Sequence, residues 1–342
     1  MIQRGGRWRA LLVVPLIAVA LALFIYRGPN WHLVHDAFTI VRGRWVVAAI
    51  TLNLFSVLAR ALSWNTTIKQ SLEPPRPRFP LVFSAFSVGL FANAVLPGRV
   101  GELARVAVLR RRLPGRPGVT ATLIGSVFAH RMFDVFPATV LVVWVLFTAQ
   151  IPGWALTSVA LVLVLGIVLF LVAMWLARRA HRDALEGLGP VRQLLVRARL
   201  GLAVMRSPVA AATAASFQCI GWFCQLLAVW STMFAFHIHT PLSTAGLVLV
   251  LINVATIFPL WPGNFGLVQI AVAFPLVNYG VPYARGFAFG IGLQAIEASV
   301  GVGVGLIFLA REGLSYAMLK TIDEPVEAVE QEPERARSRI SG

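Results

Sequence analysis

Six apolar stretches recur along the chain, at residues 10–26, 45–64, 119–147, 154–176, 208–236 and 286–310. Each approaches or exceeds the roughly 18–20 residues that an α-helix needs to cross a bilayer. Between them lie two pairs of shorter apolar segments, 81–96 with 98–112 and 242–258 with 263–279. Segments of about 15 residues are too short for two full crossings, so each pair reads as a re-entrant or broken helix pair. The pattern predicts an all-α polytopic membrane protein with about six full transmembrane helices plus the two pairs.

The interruptions within the pairs are alike. "PGRVGE" begins at Pro97 and "PGNFGL" at Pro262, a separation of 262 − 97 = 165 residues. Each half then holds two spans, one broken pair and one further span, and an odd number of crossings inverts the second half relative to the first. The expectation is a single transmembrane domain over 1–312 made of two inverted repeats, about 10–147 and 154–310, with interrupted helices pointing at a site near the bilayer midplane. Pro97, Gly98 and Gly101 in the first break, and Pro262, Gly263 and Gly266 in the second, are the expected hinges. The remaining residues, 313–342, are acidic and proline-containing and read as a largely disordered cytoplasmic tail.

Charge refines this picture. Only 13% of the 342 residues are charged, yet the net charge is +16. The basic residues gather near the N-terminus and in 65–80, 110–117 and 177–207, whereas 148–153 and 237–242 carry no Arg or Lys. Positive residues mark cytoplasmic loops, so a multi-pass cell-membrane protein with both termini in the cytoplasm is expected, although Arg27, Arg42 and Arg44 on the first external loop run against the rule. Topology accounts for the charge, and no nucleic-acid-binding signature is present. Cys219 and Cys224 lie in one apolar span and read as packing residues. No Cys or His spacing suggests a metal, and no cofactor is expected.

Charged residues inside the apolar segments are the candidates for chemistry. Glu102, Asp134 and Glu297 sit there, with Arg99, Arg105 and Arg131. A charge at the bilayer centre costs about 2.5–3.5 kcal/mol, so such groups must pair or line a wet cavity. Glu102 is three residues from both Arg99 and Arg105, and Arg131 is three from Asp134, so both sets can pair along their own helices. Three arginines against two carboxylates leave one positive charge for an anionic head group. The guanidinium fork suits phosphate oxygens, and the helix opening after Gly98 adds free N–H groups. A structural ion-pair network is the competing reading of the same residues. His130 reads as a packing residue ahead of a proton carrier. Around the second break the polar inventory is Asn253, Asn264, Gln269, Gln294 and Glu297, neutral to acidic where the first is cationic.

The stretch "ANAVLPGRVGELARVAVLRRR" followed by "ATLIGSVFAHRMFDV" resembles the signature of the flippase-like, lysylphosphatidylglycerol synthase transmembrane-region family. Asn93, Pro97, Arg99, Gly101, Glu102, Arg105, Arg131 and Asp134 fall on its positions. The resemblance extends over most of 10–312. It implies a protein that translocates or handles lipids in the cytoplasmic membrane, such as aminoacylated phosphatidylglycerol, hopanoid-type lipids or polyprenyl-linked saccharides. The second motif departs from the family pattern, with Asn264 where glycine is common and Gln269 near an expected acid. The late helix carries Gln294 and Glu297 in place of a frequent arginine. The soluble aminoacyl-transfer domain of some members is absent from this sequence, so lysyl transfer is not expected.

Together these readings point to a lipid transporter of flippase type acting on an anionic or phosphate-bearing lipid. Arg99, Arg105 and Arg131 would engage the phosphate, Glu102 and Asp134 would orient them, and Asn93, Asn264, Gln269 and Glu297 would complete the binding surface. The alternatives are a membrane-embedded enzyme that modifies lipid head groups, or an accessory subunit whose partner is a lipid-modifying or glycosyl-transferring enzyme. Membrane lipids are the expected ligands in each case.

Overall fold

The computed structural model describes residues 28–96, 100–113, 119–150, 207–256 and 264–311, and the single positions Thr157, Leu161, Val164, Val168 and Val204. The expected spans at 10–26 and 154–176 and the acidic tail fall outside these, apart from single positions. Everything regular among the described residues is helical. The helices are α1 (Trp31–Thr39), α2 (Gly43–Ser71), α3 (Phe79–Val95), α4 (Gly101–Arg111), α5 (Val119–Thr148), α6 (Pro208–Ala235), α7 (Leu242–Ala255), α8 (Leu267–Val277) and α9 (Tyr283–Arg311).

Of these, α2, α5, α6 and α9 are long and apolar enough to cross a membrane. At about 1.5 Å per residue each reaches roughly 42–45 Å. The helices of the two pairs are shorter. With 17 residues in α3, 11 in α4, 14 in α7 and 11 in α8, none attains the roughly 20-residue length of a spanning helix. The chain shows its helix starts in the expected chemistry. Ser207 caps α6 through its side chain to the Ala210 N–H at 3.4 Å, ahead of Pro208. Asn30 caps α1 in the same way, at 3.1 Å to the His32 N–H. This short helix lies in what the hydropathy pattern leaves as an external loop, and it rests on α9, where Trp31 meets Phe287 edge to face.

Two helix contacts shape the interior. The most extensive pairing is between α2 and α6, which run antiparallel. Ser63 donates to the Ala214 carbonyl at 2.9 Å and Ser56 to the Gly221 carbonyl at 2.7 Å. The tightest is between α3 and α4, where Gly89 faces Gly101. A Cβ on Gly101 would overlap the Gly89 carbonyl and the Asn93 carboxamide, so only glycine lets the two halves of this pair fold against each other.

Element bounds recur after 165 residues. Shifted by that amount, Gly43–Ser71 falls on Pro208–Ala235, Gly101–Arg111 on Leu267–Val277 and Val119–Thr148 on Tyr283–Arg311, each within two residues at either end. The packing recurs with them. α3 lies against α4 as α7 against α8, α4 against α5 as α8 against α9, and α3 crosses to α9 as α7 crosses to α5.

Two large apolar cores result, with a small third cluster of Ala129, Phe133, Val204, Ala210 and Ala214. One joins α7, α8, the start of α9 and the ends of α5 and α6. The other joins α3, α4, the start of α5 and the ends of α2 and α9. α2, α5 and α9 reach both large cores, α6 runs from the small cluster into the first, and the middles of the long helices hold the polar residues.

Candidate functional site

The site is built from the middles of the long helices and the start of α4. Gly101 opens α4, and its N–H donates to the Asn93 carboxamide oxygen at 2.8 Å, tying the first turn of α4 to the end of α3. One residue on, Glu102 forms ion pairs with Arg105 on its own helix and with Arg131 on α5. Arg131 also holds Asp134 at 3.1 Å. Asp134 then accepts the indole N–H of Trp222 at 2.8 Å and a hydrogen bond from Gln218, both on α6.

The network continues to α2 and α9. Arg60 donates to the Gln225 side-chain oxygen, and its guanidinium lies 5.4 Å from the centre of the Trp222 ring. Gln225 in turn lies beside the Glu297 carboxyl. Asp134 and Glu297 stand at the midpoints of α5 and α9, so the four candidate spans meet through polar groups halfway along their lengths.

Burial separates the roles of the arginines. The Arg105 side chain is 4% exposed, with its guanidinium 4.7 Å above Trp64 and 5.6 Å from Phe86. Desolvated cation–π contacts of this kind hold a charge without hydrogen bonds, and the Arg105 Nε has no hydrogen-bond partner. The Arg131 side chain is half exposed, which makes it the most accessible to an incoming anion of the described arginines in this network. Gly89, Asn93, Glu102, Arg105, Arg131 and Asp134 are among the residues lining a cavity of about 50 Å³. That holds a few waters and is too small for a lipid head group in this conformation.

Beside it, an apolar groove of about 350 Å³ runs between α5 and α6, lined by Phe136, Val140, Trp144, Phe223 and Leu226. Trp222 forms part of its wall as well, while its N–H points to Asp134. The groove and the polar cluster therefore share a side chain.

Of the residues singled out in the sequence, Asn93, Gly101, Glu102, Arg105, Arg131 and Asp134 come together here. Glu297 joins them through Gln225, although it belongs to the second half. Asn264 and Gln269 do not. Asn264 donates to the Ala255 carbonyl at 3.0 Å, and Gln269 accepts the Gly266 N–H at 2.6 Å while donating to Gln294 at 2.6 Å. Both are buried and brace the backbone of the second break, where Asn264 and Gly266 adopt positive φ of 46° and 90°. Pro97, Gly98, Arg99, Pro262 and Gly263 lie outside the described residues. His130 is buried with its ring edge-on to Phe86.

Sequence reasoning passed over Arg60, Gln218, Trp222 and Gln225. A signal existed: Gln218, Trp222 and Gln225 are four and three residues apart in an apolar span, which places them on one helical face. The pairing across helices, Glu102 to Arg131, carries no such local signal.

Comparison with known proteins is consistent in one direction. The family model described as lysylphosphatidylglycerol synthase TM region matches residues 9–305. No curated protein and no solved structure matches the chain.

Proposed function

Because the chain belongs to the lysylphosphatidylglycerol synthase TM-region family, a family of membrane proteins related to lipid handling, we propose that it is a lipid flippase for an anionic, phosphate-bearing lipid of the cell membrane. The observation that carries this reading is the polar network at the midpoints of the candidate spans. Each of its charges would cost about 2.5–3.5 kcal/mol if left at the bilayer centre. Six of them, Arg60, Arg105, Arg131, Glu102, Asp134 and Glu297, would together exceed the roughly 5–15 kcal/mol stability of an ordinary domain. Pairing offsets that cost, and groups of this kind in membrane helices commonly mark a substrate path.

In the proposal, the phosphate docks on Arg131, the half-exposed guanidinium, with Arg99 as its second partner at the first break. Glu102 and Asp134 orient Arg131, and Arg105 is the fixed charge behind it. One hydrocarbon chain of the lipid follows the groove between α5 and α6, which adjoins the polar cluster at Trp222. The small cavity then corresponds to a closed state between inward and outward openings.

The chain comprises two inverted repeats in this reading. The recurrence of element bounds after 165 residues supports it, as does the recurrence of packing partners. So does the Ser56–Gly221 hydrogen bond, which joins two positions separated by that same interval. A two-fold axis in the membrane plane would pass there, with the two breaks opening to opposite faces. The two termini lie in the cytoplasm in this arrangement.

The test is reconstitution of the purified chain in liposomes with fluorescent phosphatidylglycerol and phosphatidylcholine, followed by external dithionite quenching. Faster loss of the protected signal for the anionic lipid is expected. A lipid that is chemically altered instead of moved would support a head-group-modifying enzyme.

A further inference from the structure

Glu297 is the acid that head-group docking leaves unused. Its Oε1 is buried and has no hydrogen-bond partner. The carboxyl lies beside Gln225, and Gln225 is oriented by Arg60, which holds its side-chain oxygen. Arg60 lies within electrostatic reach of Asp134, Arg131 and Glu297 together. It therefore stands between the carboxyl of the second half and the phosphate-facing charges of the first.

The rest of the surroundings of Glu297 is close to neutral. α3 and α8 contain no ionisable side chain. α6 brings only the thiols of Cys219 and Cys224. α2 presents Arg60 at this level, with Arg44 and Lys69 near its ends. α1 carries His32, His35 and Asp36, but it meets α9 at Phe287, 297 − 287 = 10 residues before Glu297. On α9 itself, Tyr283, Arg285 and Arg311 sit near the ends.

Charge balance gives this arrangement a consequence. Among the described network residues, Arg60, Arg105 and Arg131 face Glu102, Asp134 and Glu297. With Glu297 ionised the set is neutral. A phosphodiester docking on Arg131 and Arg99 adds a negative charge beside this set, and a proton on Glu297 offsets it. We infer that Glu297 is a proton-binding site coupled to head-group occupancy, so that one proton and one lipid anion stabilise each other in the network.

The inference rests on the flippase reading of the same site and deepens it by naming the coupling ion. The step is a simple protonation: solvent supplies the proton to the carboxylate, and no bond of the lipid changes. Reciprocity requires that if the anion favours the proton, the proton favours the anion to the same degree. A path to the second break also exists. Gln294, one turn before Glu297, bonds Gln269 at 2.6 Å, and Gln269 holds the Gly266 N–H at 2.6 Å. A change at Glu297 thus acts on the backbone that turns into α8.

The experiment measures binding of phosphatidylglycerol to the detergent-purified full chain by native mass spectrometry at a series of pH values between about pH 5.5 and about pH 8, throughout which the phosphodiester stays ionised. Wild type is expected to bind more tightly as pH falls, by up to about tenfold per pH unit, the limit for one linked proton. Glu297→Gln, which keeps the shape and carries no charge, binds tightly with a flat profile. Glu297→Asp keeps a slope, and phosphatidylcholine shows none. A flat wild-type profile, or a Glu297→Gln profile with the wild-type slope, overturns the proton site even if the protein moves lipid. A sloped profile in a protein that moves no lipid overturns the flippase reading and leaves the proton site standing.

Discussion

Glu102 on α4 and Arg131 on α5 form an ion pair across 29 residues of sequence and between two different helices. The pair fastens the start of the short helix to the middle of a long one. Through Asp134, Trp222 and Gln218 it also fastens both to α6. The short α4 gains part of its position from this fastening, and a movement of α4 away from α5 must break it.

Removing Glu102 should be costly. Glu102→Gln leaves Arg105, almost fully buried, without its carboxylate, and breaking a buried pair from one side costs about 3–5 kcal/mol. Thermal unfolding of the purified chain in detergent checks this. Pairing Glu102→Gln with Arg105→Met is expected to recover much of the loss, because the stranded charge is then gone.

Gly101→Ala tests the α3–α4 contact. The added methyl meets the Gly89 carbonyl and the Asn93 carboxamide, and overpacking of this kind costs about 1–3 kcal/mol. Gly43→Ala is the control, since nothing lies within 4 Å of its added Cβ. Unfolding midpoints should fall for the first and stay near wild type for the second.

Trp222→Phe keeps the wall of the apolar groove and removes the 2.8 Å hydrogen bond to Asp134. A hydrogen bond to a charged group contributes about 1.5–3 kcal/mol. The variant should lose stability in that range, and Trp230→Phe, whose N–H reaches only the Thr240 carbonyl at 3.3 Å, should lose less.

The proposed inverted arrangement makes a topological prediction. Arg78→Cys and Arg112→Cys flank the first pair, and Pro241→Cys and Asn278→Cys flank the second. In a background lacking Cys219 and Cys224, an impermeant thiol reagent should reach the first two only from the cytoplasmic side and the last two only from outside. Labelling of all four from one side would rule out the inversion.

Much of this was legible in the sequence, and for a clear reason. The long helices follow from hydropathy, which is a property of each segment alone, so Val119–Thr148 and Pro208–Ala235 match the apolar runs to within one residue. The ion pairs within one turn, Glu102 with Arg105 and Arg131 with Asp134, follow from helical spacing. The rest depends on which helices become neighbours. Arg60 is a single charge in an apolar run, and its partner Gln225 is 165 residues away. Asn264 and Gln269 are a different case: polar residues beside a break suggested a binding surface, and the structure has them bonded to the backbone of the turn. α1 was missed because nine residues between basic flanks give too short a pattern to distinguish from a loop.

The central claim is that an anionic head group passes over Arg131. Its most direct test is the rate of phosphatidylglycerol translocation in liposomes for wild type and Arg131→Gln, matched for folded protein. The account predicts accelerated movement by wild type and a loss of tenfold or more in the variant, equivalent to about 1.4 kcal/mol of lost interaction. Equal rates in the two proteins, or no movement in folded wild type, would contradict it.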